Sequence, residues 1–298
     1  MAIFRAMASL SLSGGLDWKI VNCVVISKII MFCIGALVGA YIARASSGTF
    51  TGPRAASVSA RARAGIFGVC LACTNDLGVA LPVLGTLFPS QASPLCFLMV
   101  LPAMLLFIPT CYALANASSK GFSLVMFKSV LTQPLILASV AGILLTVVAG
   151  PGRVPKAVDV VCEAFGSAAI CVMLCAMGAK LSGGLSLSRL FSPGPLSLVA
   201  MKLLLSPVVC CWVVAPRLGI TGANDLQLLW LFSMVPTAAS IWAMAEDLGI
   251  DSESVGLAVF ASTLLSGPVM LANDSNLSSA FAARVRGVLH SGVLRIEL

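Results

Sequence analysis

The apolar segment Gly65–Phe88 is interrupted in its middle by the polar tetrad Cys73-Thr74-Asn75-Asp76 and by the helix breakers Gly78 and Pro82. A second apolar stretch breaks at Met234-Val235-Pro236-Thr237. These breaks matter if the stretches lie in lipid. Backbone that leaves the helix inside a bilayer needs protein groups or a water-filled cavity to take up its freed N–H and C=O groups. Composition supplies the setting: 59% of the 298 residues are hydrophobic, 10% are charged and the mean hydropathy is +1.05. That is far more apolar than a soluble domain of this size.

The expected class is therefore an all-α polytopic membrane protein. A hydrocarbon core of about 30 Å takes roughly 20 apolar residues per helix. On that measure about eight spans are expected, near Ile20–Ala43, Ala64–Phe88, Cys96–Ala115, Phe127–Ala149, Val158–Leu181, Leu196–Ala215, Gln227–Ala245 and Ser254–Leu271. A β-barrel would show short alternating segments, and the sequence has none. Met1–Trp18 lacks the basic start, apolar core and cleavage site of a signal peptide.

The eleven cysteines are scattered, mostly within spans, where cysteine behaves as a small hydrophobe. Cys70 and Cys73 have the spacing of a redox motif but lie in an apolar helix without a βαβ context, so no redox or metal role is expected. Lys and Arg in the short connections set the orientation. Arg44, Arg54, Arg61 and Arg63, then Lys120 and Lys128, then Lys180 and Arg189 mark three cytoplasmic loops, and both ends come out exoplasmic. The net charge of +7 is this topological bias, and no basic patch interleaved with aromatics suggests nucleic acid.

A weak internal repeat accompanies the breaks. Val25-Ile-Ser-Lys28-Ile-Ile-Met in the first span resembles Val199-Ala-Met-Lys202-Leu-Leu-Leu in the sixth, and each leads to a connection and then to an interrupted helix. On strict alternation the two units run in opposite senses, and inverted repeats with broken helices are a carrier architecture.

Three stretches carry a family resemblance: Cys73-Thr-Asn-Asp-Leu-Gly-Val-Ala-Leu-Pro82, Val235-Pro-Thr-Ala-Ala-Ser-Ile-Trp-Ala-Met244 and Gly256-Leu-Ala-Val-Phe-Ala-Ser-Thr-Leu-Leu-Ser-Gly-Pro268. They resemble the crossover helices and the last helix of the auxin-efflux-carrier (PIN-like) membrane transport family. The likeness is nearest to the PIN-like portion of lysosomal proteins that join such a carrier to a receptor-like domain. The resemblance runs over roughly Leu16 to Leu271. It implies two inverted repeats of five helices, crossing at the breaks of the fourth and ninth.

Laid on that plan, residues 1–18 are an exoplasmic segment, 19–126 an incomplete first repeat of three helices, 127–272 a second repeat of five, and 273–298 the tail. The first two family helices have no counterpart, with Met1–Trp18 reading as the end of the second. The expectation is an incomplete gene model, or a second copy or partner chain that supplies the scaffold helices.

The expected function is secondary transport of a small organic solute across a plasma membrane or an endomembrane such as that of the lysosome or ER. Alternatives are a lipid or small-molecule sensor that keeps the carrier fold, and a non-functional product. The expected solute-binding residues are Asn75, Asp76 and Pro82 at the first break and Pro236, Thr237 and Ser240 at the second. Lys28 and Lys202 are the coupling or supporting pair. Two readings stay open for several of these. Asp76 is either an N-cap or a charge facing solute. Each lysine either snorkels to an interface or reaches the broken helices, through their carbonyls or a carboxylate such as Asp76. Glu163 reads as interfacial, and Pro102, Pro109, Pro134 and Pro207 as kinks. The only histidine is His290, no cofactor or metal is implied, and neither an enzyme nor a seven-helix receptor accounts for the pattern.

Overall fold

The computed structural model describes residues 17–45, 60–116, 134–150, 153–162, 164–165, 172, 175, 178–179, 192–250 and 252–273. The described elements are helical, with no β-strand longer than a single bridge among them. Helix α1 (Trp18–Ala45) begins at Asp17, whose carboxylate accepts from the Lys19 amide at 2.8 Å, and carries Arg44 in its last turn. Both charges complement the helix dipole. Two half-helices follow: α2 (Ala60–Ala72) and α3 (Asp76–Leu87). Helix α4 (92–116), α5 (Pro134–Ala149) and α6 (193–217) are next. Then come a second pair of half-helices, α7 (Ala223–Ser233) and α8 (Ser240–Asp247), and finally α9 (Ser252–Asn273).

Among the described residues, four stretches are long and apolar enough to cross a membrane: Trp18–Arg44, Pro94–Ala115, Gly194–Arg217 and Ser252–Ala272. They match the first, third, sixth and eighth of the expected spans. The expected spans Ala64–Phe88 and Gln227–Ala245 are not continuous helices but the pairs α2/α3 and α7/α8. Of Phe127–Ala149, α5 is the described part. Most of Val158–Leu181, with Glu163 and Lys180, lies outside the described residues, as do residues 1–16, Arg54, Lys120, Lys128, Arg189, His290 and the boundary at 126–127.

Four π-helical turns lie within these helices: Asp76–Ala80, Ala103–Phe107, Met201–Leu205 and Val209–Val214. Each ends two residues before a proline, at Pro82, Pro109, Pro207 and Pro216 respectively. A proline ring clashes with the carbonyl four residues earlier and has no N–H to offer it. A widened turn that bonds five residues back relieves that clash. At the first of these sites the Leu81 amide donates to Asp76 O, five residues back. Pro109 and Pro207 thus mark π turns, whereas Pro134 is the first described residue of α5 and Pro102 ends the α-helical turn ahead of Ala103–Phe107.

Helix α1 packs along α2 at glycine contacts. A Cβ added at Gly35 would sit 2.6 Å from Phe67 O, and one at Gly39 would sit 2.8 Å from Arg63 O. The spacing Gly35-x-x-x-Gly39 lets backbones approach this closely, and it is a common device between apolar helices. Helix α6 ends at Gly219 (φ +68°) and α8 at Gly249 (φ +66°). In each case the next amide reaches back to close the end, Ile220 N to Ala215 O and Ile250 N to Ala245 O, both six-residue loops. The core gathers where α1, α2, α4, α6 and α7 meet, around Met31, Ile66, Leu71, Met99 and Phe232.

Candidate functional site

The two breaks cross. Thr74 and Thr237 face each other in an antiparallel bridge, flanked by Asn75 N donating to Pro236 O at 2.8 Å and Ala238 N donating to Cys73 O at 3.3 Å. Each interruption is thus the hydrogen-bond partner of the other.

A helix that stops at Ala72 leaves its last carbonyls without intrahelical partners. Here they are taken up one by one. Cys73 N donates to Val69 O at 2.8 Å, the Thr237 hydroxyl to Cys70 O at 2.7 Å and the Lys202 ammonium to Leu71 O at 2.8 Å. A cation at this end also opposes the partial negative charge of the helix C-terminus. Lys202 is 1% exposed, so it is a component of the protein interior and not a side chain reaching for an interface.

Across the break, α3 starts at Asn75, whose backbone is non-helical and whose side-chain oxygen accepts from Gly78 N at 3.2 Å. A Cβ on Gly78 would lie 2.6 Å from that oxygen, so glycine makes room for the cap. The N-cap is Asn75 and not Asp76, because Asp76 is already inside the first turn and its carboxylate points elsewhere. Asp76 Oδ2 accepts from Lys28 at 3.2 Å and Oδ1 accepts from the Thr74 hydroxyl. Lys28 also donates to Thr74 Oγ1 at 2.7 Å and lies 5.2 Å from the centre of the Phe232 ring. Lys28 and Asp76 are both buried, so the snorkelling alternative does not describe Lys28 either. The negative Asp76 sits at the positive end of α3, a favourable placement.

The alternatives for the lysines are therefore divided between them. Lys202 holds a carbonyl of the broken helix and Lys28 pairs with Asp76. Asn75 and Ser240 are half-buried, Pro236 and Thr237 are buried, and Pro82 is exposed on α3. Ser240 opens α8 without bonding across the crossing. Cys70 and Cys73 are buried free thiols, and among the described residues no group of three or more His, Cys, Asp or Glu is placed to hold a metal.

A cavity of about 20 Å³ opens between α1 and α6, and Lys28, Thr74, Lys202 and Ser206 are among its walls. Asn75, Asp76 and Thr237 do not line it. The residues not anticipated from the sequence are Thr74, which relays between Lys28 and Asp76, and Ser27, Ser206 and Ser233 on the cavity wall. For Ser206 a signal was available, since Lys202-x-x-x-Ser206 places both on one helix face. No protein-family profile and no curated protein matches the chain.

Proposed function

We propose that the chain is a multi-pass membrane carrier for a small organic solute, working by alternating access around the crossed half-helices. The antiparallel contact of the two breaks at Thr74 and Thr237 carries this reading. Helix ends that meet inside an apolar protein set opposed dipoles and unwound backbone at one place, the arrangement with which carriers hold polar solutes. Lys28 on α1 and Lys202 on α6 both tie the first break to the helices around it, and two related units in inverted sense remain what the PIN-like resemblance implies.

A second reading, a sensor or lipid-binding module without turnover, is favoured by the size of the described cavity. At about 20 Å³ it takes little more than one water molecule in this conformation. Reconstitution separates the two. Purified protein in liposomes is expected to give saturable counterflow of an amphipathic organic acid. Saturable binding of the same acid with no flux above empty liposomes would select the sensor.

A further inference from the structure

We infer that the cavity between α1 and α6 is a binding site for a small monatomic anion of the halide class. Two lysine amino groups, of Lys28 and Lys202, line the site, and with Lys202 protonated they outnumber its one carboxylate. Asp76 is the carboxylate bonded to Lys28, and both of its oxygens are engaged, by Lys28 and by Thr74. Lys202 bonds to a neutral carbonyl, that of Leu71.

The hydrogen-bond inventory has the same sign. An ammonium has three N–H donors. Lys28 directs two bonds to Thr74 and Asp76, and Lys202 directs one to Leu71 O, which leaves donors over at both. Ser206 is a buried residue on the cavity wall, and its hydroxyl has no hydrogen-bond partner among the described residues. The hydroxyls of Ser27 and Ser233 already donate to Cys23 O and Trp230 O. What lines the void is thus two lysine amines and a hydroxyl with donors to spare, and a bound anion would hold Lys202 in its charged form. A water molecule offers no charge and brings two protons of its own that need acceptors. A monatomic anion needs donors alone.

Size narrows the ligand further. The volume of about 20 Å³ exceeds the roughly 10–15 Å³ that one water requires. In this conformation its interior has room for one particle of that order. The remaining walls are apolar, with Val24, Met31 and Phe232 among them, so they offer an ion no competing polar groups. Charge-assisted hydrogen bonds are strongest in such surroundings. Occupancy of the cavity is measured at equilibrium without flux, so a halide site stands or falls apart from the carrier reading.

The test uses the purified full chain in detergent micelles, with its melting followed by tryptophan fluorescence. Sodium chloride and sodium bromide are titrated against sodium gluconate at equal ionic strength, gluconate being too large for the cavity. A saturable rise in melting temperature with chloride and bromide, absent with gluconate, is expected, together with broadening of the chloride NMR line. Lys202→Met should remove the response. Because that variant also frees a buried carbonyl and can fail to fold, Ser206→Ala is the second arm. Losing one hydrogen bond to a charged ligand should raise the half-saturating chloride concentration about tenfold. Chloride and gluconate acting alike on the wild-type chain would overturn the assignment, and so would an unchanged half-saturating concentration in Ser206→Ala.

Discussion

Replacing Asp76 with asparagine keeps its shape and leaves the Lys28 ammonium buried beside a neutral amide. Removing one partner of a buried ion pair costs more than the pair itself contributes, because the remaining charge loses its compensation. Asp76→Asn is therefore expected to lower stability by about 3 kcal/mol. Lys28→Met added in the same chain should restore most of that loss. Melting temperatures of the two single variants and the double variant form the cycle, and strictly additive losses would show that the 3.2 Å pair is not coupled. If the carrier reading holds, Asp76→Asn also loses solute flux, and the double variant regains stability without regaining flux. The cap next door behaves differently. Asn75→Ala removes the acceptor for Gly78 N, and Gly78→Ala pushes a Cβ against it, so each should cost about 1 kcal/mol. Because both changes break one bond, the double variant should lose little more than either single one. Doubling of the loss would mean that Gly78 serves some other contact.

The helices meet through glycines whose missing Cβ atoms set the spacing. Gly35→Ala forces a methyl group to 2.6 Å from the Phe67 carbonyl, so α1 and α2 must separate. The expected cost is about 1–3 kcal/mol, as for other overpacked contacts. Gly85→Ala is the control, since a Cβ there meets nothing within 4 Å and the residue lies inside α3. It should be neutral or stabilising by up to about 1 kcal/mol, the usual helix preference for alanine. Equal melting temperatures for the two variants would contradict the close packing of α1 on α2. The π turns obey a less strict rule. Prolines at 82, 109, 207 and 216 each follow a widened turn, but Pro268 lies inside α9 without one, so proline marks where a π turn can form and packing decides whether it does.

In the multi-pass reading, orientation across the membrane is a property of the entire chain and rests on its charge distribution. Asn116 closes α4 and heads the sequon Asn-Ala-Ser, while Asn276 heads Asn-Leu-Ser in the tail. With the basic connections inside, glycan is expected on Asn276 and not on Asn116. Glycosidase-sensitive mobility shifts of single-sequon variants in microsomes would check it, and modification at Asn116 would reverse the orientation.

Much of the candidate site is legible in the order of the amino acids alone. Hydropathy marks where backbone would lie in lipid, and breakers such as Gly78 and Pro236 act on their own few neighbours, so the two interruptions and the oddity of Lys28 and Lys202 can be read along the chain. Their partners cannot. Lys28 meets Asp76 across 48 positions, and Thr237 meets Cys70 across 167. Asn75, not Asp76, takes the cap because packing draws the Asp76 carboxylate toward α1, and Pro82 stays on the outside of α3. Local chemistry decides where a helix must stop. Which groups then satisfy its open ends depends on how separate helices come to rest against one another, and only the packed molecule contains that.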